Sequence, residues 1–271
     1  MNKQLPDPAE VRKMAYELIK LSYQSKTPHL GSGLSCIHLL AYIYACQLRN
    51  NHRCHDRFIL SKGHAAAALY VVLNHYGYIS DELLNSFSQE GSILEEHPGV
   101  HAPEAVECVS GSLGHNLSVA LGMAYADQIA GVESRYFVLL GDGELNEGQV
   151  WEAAQHAPVL GLGRLYVVVD CNKWQGTGRS QEITALEPLV DRWRSFGWEV
   201  QRVDGHDIEK IHQAMSTLHE QQNRPKVIIA DTVKGWGVSF MADDNNWHYR
   251  IPTEEEVQRA ANELKISTES W

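Results

Sequence analysis

The chain has 271 residues, room for one large α/β domain or two smaller ones, and carries a formal charge of −11 from 23 Lys and Arg against 34 Asp and Glu. No cluster of Lys or Arg stands out, which argues against nucleic acid and anionic membrane as partners; no apolar run reaches the roughly 18 residues of a membrane span, and the first residues lack the apolar stretch of a signal peptide. Five scattered cysteines, Cys36, Cys46, Cys54, Cys108 and Cys171, odd in number and without a C-x-x-C pair, fit a soluble protein of the reduced cytoplasm.

Asp7-Pro8-Ala9-Glu10 has the form of a helix start, with Asp as N-cap, Pro in the first turn and Glu three residues after the cap. Val11, Met14, Leu18 and Leu21 continue it as an apolar stripe ending near Lys26, ahead of Pro28. Residues 27–35 read as a turn containing His29, before an apolar helix over 37–48. A loop histidine is either structural or a proton-transfer group. Cys and His in the stretch 51–56 lack the usual zinc spacing, so a polar turn is expected there. A short strand at 57–60, a glycine turn with His64, and an alanine-rich helix follow. His97 and His101 are four apart, as in a helical zinc pair, but Pro98 and Gly99 between them exclude a helix. Gly111-Ser112-Leu113-Gly114 is a glycine turn entering a helical run over 117–130.

The most informative stretch is 135–174. Two short apolar runs rich in β-branched and aromatic residues flank a helical segment, the pattern of a βαβ unit with parallel strands. Asp142 and Asn172 each follow a strand directly, so they are expected side by side although thirty residues apart. A carboxylate and an amide oxygen suit Mg²⁺, which takes few protein ligands and completes its shell with phosphate oxygens. Gly141 and Gly143 would let peptide N–H groups approach an anion at the following helix. A tight βα turn with a helix-capping Asp is the plain alternative.

Farther on, residues 186–196 and 207–222 read as helices, and 198–203 and 226–232 as strands. The alternation predicts a mainly parallel sheet with helices on both faces, whose ligands gather at the carboxyl edge. Lys234-Gly235-Trp236-Gly237 leads to Trp247-His248-Tyr249, a polar loop unless a scaffold positions it. From Thr253 a capped, charged helix closes the chain.

Gly141-Asp142-Gly143 with Asn172 thirty residues on resembles the thiamine diphosphate and Mg²⁺ signature, and the string from Gly141 to Gln149 is similar to that of transketolases. The resemblance implies a thiamine diphosphate-binding fold with Asp142, Asn172 and the Trp174 carbonyl as metal ligands, to Mg²⁺ or to Ca²⁺ or Mn²⁺ in its place. It further implies that His29, His64, His97 and His248 face substrate or cofactor. His97 is chosen over His101 because it lies fourteen residues before Gly111. Gly111, Ser112 and Leu113 would wall the cofactor, Lys234 would assist, and Glu147 would lie in an acidic network at an interface between subunits. The chain departs from the pattern at Pro28, at His115-Asn116 where Gln-Gly is usual, and at Tyr249 where Gly is usual, which would narrow the site.

The likeness covers only the N-terminal part of a full-length transketolase. Residues 1–271 are thus expected to form a single diphosphate- and Mg-binding domain. The pyrimidine-binding domain, with the Glu that activates the cofactor, is expected on a partner chain, in a heterotetramer. The implied reaction is two-carbon ketol transfer from a phosphorylated or otherwise anionic ketose to an aldose. The competing readings are an α chain of a 2-oxo acid dehydrogenase and a regulatory subunit without catalytic activity.

Overall fold

The computed structural model describes residues 4–51, 54–218 and 223–267. His52 and Arg53 of the rejected zinc stretch, and the last four residues of the helix expected to reach 222, lie outside the described residues. A short antiparallel pair, β1 (Asn50–Asn51) and β2 (Cys54–His55), precedes the main sheet. That sheet comprises β3 (Arg57–Leu60), β4 (Tyr136–Gly141), β5 (Leu165–Cys171), β6 (Glu199–Asp204) and β7 (Lys226–Asp231). They are all parallel, in the order β3-β4-β5-β7-β6, with Gly141 opposite Asp170 and Cys171 opposite Asp231.

Helices cover both faces: α1 (Pro8–Ser25), α2 (Leu30–Tyr42), α3 (Ala66–His75), α4 (Asp81–Asn85), α5 (Asn116–Ala130), α6 (Gly148–Val159), α7 (Ser180–Ile183), α8 (Leu189–Ser195), α9 (Ile208–Thr217) and α10 (Glu254–Glu263). Strand side chains alternate between the two cores. Phe137, Leu139, Tyr166, Val168 and Ile228 pack with α1, α2, α3, α9 and α10, whereas Tyr136, Val138, Leu140, Val167 and Ile229 pack with α5, α6 and α8. The chain crosses the sheet one way from β3 to β5 and steps back from β6 to β7. Right-handed crossovers then put α6 and α9 on opposite faces. Both faces being covered explains why the central strands β4 and β5 are continuous apolar runs, save Asp170 near the end of β5, rather than alternating.

The first helix starts as its sequence dictates, with the Asp7–Glu10 capping box formed and Lys26 closing it in the left-handed region. The segment expected as a turn over 27–35 is different: α2 already begins at Leu30, and a π-helical turn (Ile43–Gln47) ends it. Gly31 and Gly33 serve close packing inside the helix. A Cβ on Gly31 would stand 3.2 Å from Trp247 Cβ and carbonyl O, and one on Gly33 would stand 2.9 Å from Leu18 Cδ2. At the other end, α8 starts at Leu189 rather than near 186 because Pro188 disfavours helical geometry in the residue before it. Among the described residues, no helix is long and apolar enough to cross a membrane.

Since Gly31 abuts the main chain of Trp247, Gly31→Ala is expected to destabilise the fold by about 1–3 kcal/mol, the usual cost of overpacking. The check is urea denaturation of the variant against the wild type.

Candidate active site

All five strands of the main sheet end at one edge, and each delivers a chemically active residue there. Asp142 follows β4 and Asn172 follows β5; both are buried. Their adjacency is direct, since Asp142 N–H donates to Asp170 O (3.1 Å) and Lys173 N–H donates to Asp142 Oδ2 (3.0 Å). Ser180 Oγ donates to the same oxygen at 2.8 Å. Asn172 Oδ1 accepts from Trp174 N–H (3.0 Å), so the amide oxygen faces the same loop. Burial nonetheless pushes the Asp142 carboxyl up to about 6, because desolvation disfavours the charged form.

The side chain of Trp174 leans away from this pair. Its indole donates to Asp243 Oδ1 (2.8 Å) and lies under the Arg179 guanidinium, which also bonds Asp243 (2.7 Å). Its main chain stays with the pair, through the Trp174 N–H on Asn172. Gly141 and Gly143 act differently from the expectation of free N–H groups at a helix start. Gly141 N–H donates to Glu144 Oε2 (3.2 Å), and Gly143 opens a 3-10 turn (Gly143–Asn146), with the α-helix starting only at Gly148. Gly143 leaves room for Gln175, whose Cγ would stand 2.8 Å from a Cβ there.

Beneath the edge lie two buried acids. Asp170 accepts from Lys62 Nζ, Ser35 Oγ, Thr232 Oγ1 and Asn172 Nδ2, and Lys62 Nζ also donates to Ser32 O (3.1 Å). Desolvation opposes charge on both partners, but the Lys62 ammonium together with the Ser35 and Thr232 hydroxyls outweighs it and holds the Asp170 carboxyl below its ordinary value. Glu144 accepts from Ser61 Oγ, Gly114 N–H (2.9 Å) and Gly141 N–H, tying three loops together.

Above the edge, four histidines converge. The His29 ring lies 5.0 Å from that of His248, 5.5 Å from His97 and 5.7 Å from His64; His64 and His248 are 5.6 Å apart. His101 has no place in this cluster and is exposed. Desolvation lowers the pKa of His29, of His248 to about 3, and of His64 well below its usual value, so these rings are neutral near pH 7. Lys234 Nζ, a donor only, stands 3.1 Å from His248 Nδ1, which places the His248 proton on Nε2. The same ammonium donates to Asn245 Oδ1 (2.7 Å), and burial brings Lys234 down to about 8. His29 is held at φ 68°, and its N–H donates to His248 O (3.1 Å). Its Nδ1 lies 3.1 Å from Glu96 Oε1.

The two halves of the site touch. A Cβ on Gly176 would stand 3.5 Å from His248 Nε2, and Gly176 O accepts from Asn245 Nδ2 (3.1 Å) and from the Tyr249 hydroxyl (3.0 Å). Tyr249 thus bridges the loop after Asn172 and the turn that carries His248. Gly111, at φ 143°, lies against His97; Ser112 is exposed and Leu113 partly so. The departure at His115-Asn116 has a structural use, since Asn116 Nδ2 donates to Leu60 O and Val109 O and locks the turn to β3. Glu147 is exposed in the single chain, its stem packed over Gly114.

Five buried side-chain atoms lack a hydrogen-bond partner among the described residues, and three of them rim this site: His29 Nδ1, Ser110 Oγ and Gln175 Nε2. Ser110 lies against Gly63, beside His64. These atoms suit a polar ligand. No three His, Cys, Asp or Glu side chains among the described residues gather closely enough to hold a metal ion. The histidines are therefore no metal cage. One carboxylate, one amide oxygen and a main-chain carbonyl fit a hard dication that takes its other ligands from phosphate and water.

Sequence reasoning passed over Lys62, Asp170, Glu144, Ser110 and Gln175. Asp170 and Lys62 each stand two residues from a chosen residue, but nothing local marks a pair 108 positions apart.

A parallel sheet whose carboxyl edge carries these groups is that of a cofactor-binding α/β domain. Residues 10–270 match the family model described as transketolase, thiamine diphosphate binding domain, and the chain belongs to that family of transferases. It is similar to one of the named subunits of the apulose-4-phosphate transketolase of Phocaeicola vulgatus, 36% identical over 91% of this chain and 89% of that one. The 6-deoxy-6-sulfo-D-fructose transketolase subunit SqwG of a Clostridium species is 38% identical over 88% of each. In fold, the chain superposes on transketolase from Leishmania mexicana with a TM-score of 0.90 at 24% identity, covering 98% of this chain but 42% of that one. It therefore spans under half the length of that transketolase, yet nearly the whole length of the two subunits.

The buried charges set two expected outcomes. Asp170→Ala strands the Lys62 ammonium without its counter-ion and is expected to cost about 3–5 kcal/mol of unfolding free energy, measured in urea. Because His29, His38, His64, His206 and His248 have lowered pKa values in the fold, the unfolded chain binds more protons at acid pH. Their contribution is complete above the unfolded value near 6.5 and is lost as pH falls below it. Urea midpoints measured from pH 7.5 down to 4.5 should fall accordingly.

Proposed function

We propose that this chain is the diphosphate- and Mg²⁺-binding subunit of a split transketolase, a single domain over 1–271 that moves a two-carbon ketol unit from an anionic ketose to an aldose once a second chain completes the site. The observation that carries the reading is the convergence of His29, His64, His97 and His248 above the Asp142–Asn172 strand ends. Asp142, Asn172 and the Trp174 carbonyl would hold the dication. Bound thiamine diphosphate supplies the carbon nucleophile and electron sink for C–C cleavage and formation.

What the chain adds is orientation and proton handling. Neutral imidazoles both accept and donate hydrogen bonds near pH 7, and several rings around one cavity suit a substrate with several hydroxyls. His248, with its proton on Nε2, is a donor, while its Nδ1 is occupied by Lys234. Gly111, Ser112, Leu113, Gly141 and Gly143 wall the cofactor, and the Lys234 ammonium provides positive charge for its diphosphate or the substrate's anion. The phosphate and sulfonate in the relatives' names support an anionic sugar.

The partner would bring the pyrimidine half of the site, including the activating Glu, and two such pairs would make a heterotetramer. Both relatives are named subunits. The exposed face of α5, where Val119, Tyr125 and Ile129 point outward, adjoins the Gly111–Gly114 turn and suits that partner better than water. Glu147 would be buried at the same contact. Cys36, Cys108 and Cys171 are free thiols, which supports a cytoplasmic setting.

The test is reconstitution with a pyrimidine-binding subunit. Ketol transfer should arise only in the mixture, with calorimetry showing Mg²⁺-dependent uptake of thiamine diphosphate. Asp142→Ala should weaken that uptake by about a hundredfold or more, given that outer-shell partners of metal ligands alone are worth about 10–100-fold. Glu147→Ala should weaken assembly. An assembled complex that takes up no cofactor, or one that decarboxylates 2-oxo acids instead, overturns the proposal.

A further inference from the structure

Away from the four clustered rings, a second pair of histidines is built into the same sheet edge. His206 follows β6, in a turn that Gly205 lets approach the end of β7: a Cβ on Gly205 would stand 2.5 Å from Thr232 Cγ2. His206 Nε2 lies 2.8 Å from the N–H of Val233, and its Nδ1 lies 3.3 Å from Nδ1 of the buried His38 on α2. Trp236 closes the group, stacked on His206 at 5.3 Å and edge-on to His38 at 4.2 Å.

The hydrogen bonds assign the protons. A peptide N–H can only donate, so Nε2 of His206 is bare and its proton is on Nδ1, which donates to His38; the His38 proton is then on Nε2. This arrangement holds the Thr232–Val233 peptide, one residue ahead of Lys234. Main-chain bonds hold the rest of that turn, from Trp236 N–H to Val233 O (3.1 Å), from Gly235 N–H to Gly31 O (2.9 Å) and from Asp243 N–H to Lys234 O (2.8 Å). Of these four bonds, the His206 bond alone is supplied by a side chain. Lys234 is 1% exposed, so its ammonium can reach Asn245 and His248 from one main-chain placement and has no solvent route to compensate for a shifted one.

We infer that His206, oriented by His38 and Trp236, is a positioning residue for Lys234: it accepts the Val233 N–H and thereby aims the Lys234 ammonium into the candidate active site. Its effect on cofactor binding rests on the function proposed above. The relevant variants are His206→Phe, which keeps a ring on Trp236 but removes the acceptor, and His206→Gln, which can restore an acceptor near the Nε2 position.

In the assembled complex with Mg²⁺, His206→Phe should weaken thiamine diphosphate binding about tenfold, the scale of one lost hydrogen bond, and His206→Gln should recover most of it. In a Lys234→Ala background, His206→Phe should add nothing. A readout that needs no cofactor is the titration of Lys234 Nζ by NMR, which should move away from about 8 in His206→Phe and return in His206→Gln. An unmoved Lys234 titration, or losses that simply add in the double variant, overturns the inference. A wild-type complex that takes up no cofactor, while His206→Phe still moves the Lys234 titration, sinks the functional reading and leaves the positioning role standing.

Discussion

The buried ion pair between Lys62 and Asp170 is the contact on which the rest of the edge depends. Lys62 leaves the end of β3, Asp170 lies in β5, and the same carboxylate gathers Ser35 from α2 and Thr232 from the end of β7. Four separate stretches of chain therefore meet at one fully buried charge. Removing two charges from water costs several kcal/mol each, and such a pair rarely adds net stability over a well-packed apolar one. Its value here is geometric. Asn172 is two residues from Asp170 and also donates to it, His64 is two residues from Lys62, and Lys234 is two residues from Thr232. Orienting one ion pair orients the Asp142–Asn172 side and the histidine side together.

Glu144 does for the outer loops what Asp170 does for the inner ones. Its carboxylate collects Ser61, Gly114 and Gly141, and so fixes the turn that carries Gly111, Ser112 and Leu113 relative to the strand end that carries Asp142. Burial raises its pKa while the three donors lower it, the balance expected of a carboxylate held for its acceptor oxygens. A third tie lies at the surface, where Asp243 binds both Arg179 and Trp174. It straps the loop after Asn172 to the segment between Lys234 and His248. Surface ion pairs are individually weak, but a bidentate Arg stacked on an indole has well-defined geometry.

The site assembled this way is one-sided. Strand ends supply oxygen donors below, histidines surround the middle, and the direction of the Gly111–Leu113 turn, Glu147 and the apolar face of α5 remains open. A chain that spans nearly all of two subunit relatives but less than half of a whole transketolase accords with an active site divided between polypeptides. Under the proposed function, orientation by rigid strand ends is this chain's share, and activation of the cofactor is the partner's.

The sequence by itself determined the elements and the class. Capping boxes at Asp7 and Thr253, β-branched strands, and the alternation of strand and helix are local signals, and local physics reads them. The pairing of Asp142 with Asn172 was also legible, because two strands joined by one helix end at the same edge. Tertiary structure alone decided the rest. Gly31 and Gly33 look like turn residues but are helical, since what they accommodate is Trp247 and Leu18, invisible to any local window. Lys62 and Asp170, or His206 and Val233, are partners only because parallel strands far apart in sequence finish side by side. A side chain's chemistry is written in its type, but its partner is chosen by the closing of the sheet, which no stretch of the chain contains.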